Sequence, residues 1–195
     1  MPTKSRFVTR GGDKLAAALD HFQIDVADKL CADLGSHAGG FVDCLLKRGA
    51  RRVYSVDKSY GTLAWELRKD PRVTVIERTN AMHVRLAECV DLVTIDVGWT
   101  KQERILPNAA EMLLPDGRVL TLIKPHYEAQ REMLHEGVLP EDRVDCVVKA
   151  VAASIQQAGW RVLGLMRSPI SGHGGNREVF ALLQRALGPQ SDAVG

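Results

Sequence analysis

Four charged residues stand where reaction chemistry could be assembled: Lys14, Asp96, Lys124 and Glu178. Asp96 closes the apolar run "LVTID" and Lys124 closes "RVLTLI", so each sits at the carboxyl end of a β-type segment. That is the edge at which open α/β sheets bind their ligands. Pro125 follows Lys124 and disfavours α conformation there. A lysine closing a buried strand can be partly desolvated, which lowers its pKa from the usual value of about 10.4. Such a group can take a proton. Glu178 opens the last β-type run after "SGHGGNR", with a solvated strand-end carboxylate as the plain alternative. Lys14 follows Gly11 and Gly12 at the start of a helical pattern, a poor place for a cation beside the positive end of a helix dipole. A solvated helix start is its ordinary reading, and the misfit is the reason to keep it in view.

A second group of residues has the chemistry to hold a small ligand. The stretch "DLGSHAGGF" follows one β-type run and leads into a helix. Gly35, Gly39 and Gly40 let the backbone come close to a ligand, and N–H groups at the helix start offer donors. Asp33, Ser36 and Phe41 complete the loop. Its spacing is not GxGxxG, so the dinucleotide fingerprint fails. The acid that leads it, Asp33, would repel a pyrophosphate and attract an ammonium group, which favours S-adenosylmethionine over NAD. Asp57 ends the next β-type run, where an acid hydrogen-bonds the ribose hydroxyls of an adenosine-containing cofactor. Asn80, just past the third run, could reach an adenine edge or could be a turn residue. Asp96 borders this group as well as the first.

These residues need elements to position them. Short β-type runs at 29–34, 52–57, 73–77, 92–96 and 118–123 alternate with helical patterns near 12–21, 40–48, 61–69, 102–114 and 142–158. Strict alternation signals a parallel sheet covered by helices on both faces. Gly49, Asp70-Pro71, Pro115-Asp116-Gly117 and Gly159 stop the helices. Runs at 161–166 and 178–184 then arrive with only "RSPISGHGGNR" between them, which predicts antiparallel pairing. A seven-stranded, mostly parallel sheet with an antiparallel last strand is the layout of a Class I, Rossmann-like α/β methyltransferase domain. The reading divides the chain into an N-terminal segment 1–23, a domain 24–187 and a mobile tail 188–195.

Composition narrows the class. The chain has 195 residues, 45% of them hydrophobic and 26% charged, as one soluble domain requires. Its net charge of +2 does not by itself argue for nucleic acid. Basic residues do gather locally, at Lys4, Arg6, Arg10 and Lys14 and again around Lys47 to Arg52. No signal-peptide core and no apolar run of membrane-spanning length occurs, which predicts a cytoplasmic protein and no membrane partner. Cys31, Cys44, Cys89 and Cys146 show no zinc-ligand spacing and read as reduced, mostly buried thiols, with no metal implied.

The segments "TRGGDKL", "DLGSHAGGFVDCLLKRGA", "VYSVDKSYGTLAWELRKDPRV", "ERTNA", "IDVGW", "IKPHYE" and "SPISGHGGNRE" occur in that order, and the pattern they belong to covers residues 6 to about 184. In this the chain resembles the TlyA family, proteins named haemolysins that are ribosomal RNA 2′-O-ribose methyltransferases of the FtsJ type. The resemblance implies S-adenosylmethionine as cofactor and a lysine–aspartate–lysine–glutamate tetrad, here Lys14, Asp96, Lys124 and Glu178. Lys14 would be held at the mouth of the site by a Gly11-Gly12 turn. Three features depart from the family's pattern. "DVGW" stands where "DVSF" is commoner, and "KPHY" where "KPQF" is commoner. The loop carrying His173 more often holds proline and lysine. A small RNA-binding domain ahead of the glycine pair, usual in the family, has no counterpart here, which leaves room for a protein partner supplying it.

The expected activity is S-adenosylmethionine-dependent 2′-O-methylation of RNA, with ribosomal RNA or a ribosomal subunit as partner. Lys124 helps to remove the hydroxyl proton, Asp96 and Glu178 orient the lysines, and Lys14 stabilises charge on the oxygen. Arg6, Arg10 and Arg177 are the expected RNA contacts. The rivals are an NAD-linked oxidoreductase, which fails on glycine spacing, a membrane-active haemolysin, which needs an inserting segment, and a cofactor-binding module without catalysis.

Overall fold

Strand β1 (Leu30–Leu34) is buried along its whole length, as a strand covered on both faces must be. The computed structural model describes residues 5–186, apart from the His173 side chain, so the tail 188–195 lies outside the described residues. Strands β2 (Arg52–Val56), β3 (Val73–Ile76), β4 (Val90–Ile95) and β5 (Leu113–Ile123) run parallel with β1. Strand β7 (Val179–Arg185) pairs antiparallel with β5, and β6 (Trp160–Arg167) pairs antiparallel with β7. The order is β3-β2-β1-β4-β5-β7-β6. The sheet therefore has the expected mixed, Rossmann-like layout, with the last strand inserted between β5 and β6. Its strand order reverses between β1 and β4, where such sheets open a crevice at their carboxyl edge.

Helices α1 (Arg10–His21), α2 (Gly40–Lys47) and α3 (Trp65–Lys69) cover one face. Leu15 and Leu19 of α1 pack there with Leu45, Phe180 and Leu182, so the N-terminal segment shares the core of the domain and is not an appendage to it. Helices α4 (Gln102–Met112) and α6 (Glu141–Gln157) cover the other face through Ile105, Leu106, Val144, Val148 and Ile155. A short helix, α5 (Pro125–Glu128), follows β5.

Several details differ from the sequence reading. Gly11 and Gly12 lie inside the first turn of α1, capped by Thr9, whose hydroxyl accepts the Gly11 N–H at 3.3 Å. They form no turn of their own. The third helix is shorter than 61–69, because residues 61–64 form the connection into it. Pro115-Asp116-Gly117 sits within β5 and not ahead of it. The register there jumps from Leu113 opposite Val90 to Arg118 opposite Leu92, so the extra residues bulge out of the sheet. Of the four cysteines only Cys31 and Cys44 are buried, and burial pushes both thiols up to about 12. Cys89 is exposed in the connection before β4, and Cys146 on the outer face of α6.

Candidate active site

Pairing register brings the acidic strand ends together. Leu34 of β1 lies between Val56 of β2 and Ile95 of β4, so Gly35, Asp57 and Asp96 leave the sheet side by side. They open into a cleft of about 940 Å³. Asp33 is 1% exposed, and one of its oxygens accepts the Thr94 hydroxyl at 2.8 Å. Its other oxygen, Oδ2, is buried with no hydrogen-bond partner among the described residues. Burial pushes its carboxyl up to about 8, against the Thr94 bond and with Asp96 and Asp57 adding to the rise. Asp57 goes the other way. Partial burial raises it, yet N–H groups of Ser59 and His37, at 2.7 Å from its two oxygens, hold it below the ordinary carboxylate value. Gly35 has φ +92°, and a Cβ there would stand 2.7 Å from the Asp96 carbonyl oxygen, so only glycine lets these two strand ends approach.

The other end of the cleft holds four charged side chains in two pairs. Lys124 Nζ lies 2.6 Å from Asp96 Oδ1, and Lys14 Nζ lies 2.5 Å from Glu178 Oε2. Register explains the grouping, because β5 and β7 pair Ile123 with Val179, which sets Lys124 and Glu178 as the next residues at one edge. Lys124 has φ −111° and ψ 92°, the extended backbone that Pro125 requires. Lys14 comes from the second turn of α1. Its helix is pressed onto α2 where the two glycine pairs meet: a Cβ on Gly12 would come within 2.7 Å of the Gly40 carbonyl oxygen and closer still to the Phe7 side chain. Gly172 makes similar room for Glu178, whose Oε1 would collide with a Cβ at that position. At the rim, Trp99 is 85% exposed with φ +57° and packs against Tyr127, ring centres 4.6 Å apart. The rings of Tyr127 and the buried His126 are 4.1 Å apart, and burial, then the Lys124 charge, lowers the His126 pKa.

Residues 7–185 match the family model described as FtsJ-like methyltransferase. The chain belongs to this FtsJ-like family. It is 39% identical over 184 residues to the 16S/23S rRNA (cytidine-2′-O)-methyltransferase TlyA of Mycobacterium tuberculosis, covering 91% of this chain and 68% of that one. YqxC of Bacillus subtilis is 40% identical over 179 residues, with 89% of this chain and 64% of YqxC covered. The chain thus spans about two thirds of the length of these curated relatives. A solved protein described as a "putative hemolysin", from Streptococcus thermophilus, superposes with a TM-score of 0.92 at 37% identity, over 99% of this chain and 72% of that one.

Within this FtsJ-like domain, Lys14, Asp33, Gly35, Ser36, Gly40, Phe41, Asp57, Asn80, Asp96, Lys124 and Glu178 all line the one cleft. Gly39 does not. It has φ +96° and packs under Leu63 and Leu67, so its glycine serves the turn into α2. Asn80 also takes the turn role, its side-chain oxygen accepting the Met82 N–H at 2.9 Å. Arg10 reaches the cleft, whereas Arg6 lies outside it, 3.9 Å from Asp13. Arg177 is turned away, with Nε 2.7 Å from Glu141 Oε2. Sequence reasoning missed Thr94, Gly172 and the Trp99–Tyr127 contact. The two departures "DVGW" and "KPHY" were the available signal for that contact, since they supply its two rings.

Proposed function

We propose that this FtsJ-like domain is an S-adenosylmethionine-dependent RNA 2′-O-methyltransferase acting on ribosomal RNA. The observation that carries the reading is the pairing of Lys124 with Asp96 and of Lys14 with Glu178 at one end of a cleft whose other end presents Asp33 and Asp57. The cofactor end fits its ligand. The unpartnered Asp33 Oδ2 lacks a donor that an ammonium group would provide. Each Asp57 oxygen accepts one backbone N–H and retains lone pairs for ribose hydroxyls. Bound there, S-adenosylmethionine supplies an electrophilic methyl group.

The chain's own residues do the rest. Asp96 and Glu178 each fix one lysine nitrogen, which holds Lys124 as the base and Lys14 as a donor at the place where a ribose hydroxyl must come. Lys124 helps to draw the proton from that hydroxyl, and Lys14 balances charge on the oxygen. Such proton transfer contributes on the order of 10²–10⁴-fold, and positioning supplies much of the remainder. No side chain forms a covalent bond to substrate. The open face of Trp99 gives an unstacked base somewhere to rest. Ribosomal RNA as substrate puts the work in the cytoplasm, and among the described residues no helix is long and apolar enough to cross a membrane.

The test uses purified protein, labelled S-adenosylmethionine and ribosomal RNA. Ribose methylation that Lys124→Ala abolishes, with cofactor affinity nearly intact, is the expected result. Asp57→Ala should instead weaken cofactor binding by about 1.5–3 kcal/mol, the worth of its charge-assisted bonds. Native transfer rates in Lys124→Ala, or unchanged cofactor affinity in folded Asp57→Ala, overturn the corresponding assignment.

A further inference from the structure

Beyond the cleft, the edge of the sheet at β3 carries a second set of exposed aromatic and basic side chains. Tyr60, 68% exposed, lies under the Arg78 guanidinium, 4.1 Å from its ring centre. Trp65, 63% exposed, has Lys69 Nζ 4.5 Å from its ring centre. Glu77 ties the two pairs into one surface by accepting the Gly61 N–H at 2.9 Å and the Arg68 guanidinium. The surface is continuous with the cleft, because Lys58 and Ser59 line the cleft and immediately precede Tyr60. Three of its cations, Lys58, Lys69 and Arg78, have no carboxylate within 4.0 Å among the described residues, so their charge is open to a ligand. Several arginines elsewhere are neutralised: Arg48 by Asp20, Arg72 by Asp70, and Arg167 by Glu141 and Asp145.

The Arg78 backbone adds an independent sign. Its φ of +53° is a conformation that non-glycine residues rarely adopt, held by the bond from Arg78 N–H to the Ser59 carbonyl at 3.1 Å. That bond joins the end of β3 to the loop bearing Tyr60, and strained positions of this kind gather where ligands are gripped. Exposed rings next to cations that no carboxylate neutralises suit a chain of stacked bases on a phosphate backbone. Rings take the base faces in a sequence-tolerant way, and the cations take the phosphates.

We propose that Tyr60, Trp65, Lys58, Lys69 and Arg78 form an auxiliary RNA-binding surface that holds the substrate strand flanking the modified nucleotide. The proposal rests on the RNA-methyltransferase reading above and names where that substrate is gripped away from the reacting atoms. It also predicts that substrate affinity and chemistry separate, since none of the five residues belongs to the two lysine–carboxylate pairs.

The experiment measures the binding of a fluorescently labelled single-stranded RNA oligonucleotide over a series of salt concentrations, together with methyl transfer to ribosomal RNA. Tyr60→Ala should weaken RNA binding roughly tenfold, and Tyr60→Phe should restore it because the ring face is kept. Arg78→Ala should weaken binding and lower the salt slope by about 0.7, one single-strand phosphate contact. Both alanine variants should raise KM for RNA with kcat and cofactor affinity little changed. Parent-like RNA affinity and salt slope in both variants overturn the surface while leaving the enzymatic reading standing. A parent protein that neither binds nor methylates RNA overturns both.

Discussion

Asp33 is charged in water and sealed in this fold, and that conflict has measurable consequences. Burial first, then the nearby Asp96 and Asp57 against the Thr94 bond, raises its folded pKa to about 8, whereas an unfolded aspartate titrates near 3.9. Between those values the folded chain holds a proton that the unfolded chain has released. Its contribution to stability therefore falls as pH rises from about 4 to about 8 and is level above that. Denaturant titrations across this window should show a shallower decline in Asp33→Asn than in the parent, and an equal decline would remove Asp33 as its source. An ammonium group bound beside Asp33 favours the carboxylate, so cofactor binding near neutral pH should release a proton. Calorimetry in two buffers of different ionisation enthalpy reads that proton directly, and it should vanish in Asp33→Asn. The two lysine pairs differ in the same physical sense. Lys14 and Glu178 have side chains only 12% and 4% exposed, so Glu178→Ala leaves a mostly buried ammonium without its partner and should cost up to about 3–5 kcal/mol of stability as well as activity. Lys124 and Asp96 are more open, at 16% and 26%, and Lys124→Ala should lose methyl transfer with a smaller loss of stability. Strand-end position made Asp96 and Lys124 legible in the sequence. Lys14 was not legible that way, because its partner is 164 residues distant and only the resemblance joined the two.

At the scale of elements, the join between α1 and α2 decides where Lys14 stands. Gly12 has no room for a side chain, with Phe7 and the Gly40 carbonyl inside 3 Å of a would-be Cβ. Because one obstacle is backbone, Gly12→Ala must move one helix off the other. The expected cost is about 1–3 kcal/mol of stability, as for other overpacked positions, together with a loss of methyl transfer as the Lys14–Glu178 contact opens. Thermal melting and an activity assay check both, and a fully active, parent-stable Gly12→Ala would show that the glycine contact does not position Lys14. The sequence told that a paired glycine stood at the start of a helical pattern, and the turn expected there came with the resemblance. Thr9 caps the helix that includes both glycines, and the close approach of Gly12 to Gly40, 28 residues on, is what no local pattern reveals. The bulge in β5 was hidden for a related reason. Pro115-Asp116-Gly117 reads as a stop, and only pairing with β4 carries the strand through it. Period and punctuation did reveal the alternation of elements, and the loop-only link between β6 and β7 did signal their antiparallel pairing.

At the scale of the whole molecule, a net charge of +2 says little about RNA, because what matters is which cations remain open. The sequence placed Arg6, Arg10 and Arg177 together as RNA contacts. Their surroundings separate them. Arg10 lines the cleft and has no carboxylate partner among the described residues. Arg6 is exposed and only loosely placed beside Asp13, at 3.9 Å. Arg177 is held by Glu141 at 2.7 Å, in a carboxylate cluster that also holds Arg167. An arginine already neutralised at short range releases few counterions when RNA arrives, so its removal changes little. The alanine variants should therefore rank Arg10, then Arg6, then Arg177 in their effect on RNA affinity. Removing an open cation that meets one phosphate should lower the salt slope by about 0.7 for single-stranded RNA, and Arg177→Ala should leave the slope at the parent value. Salt titrations of the three variants against one labelled RNA decide the order. If Arg177→Ala reduces affinity and slope as much as Arg10→Ala does, its bond to Glu141 is given up on binding, and the RNA path extends past Glu178 to the start of α6.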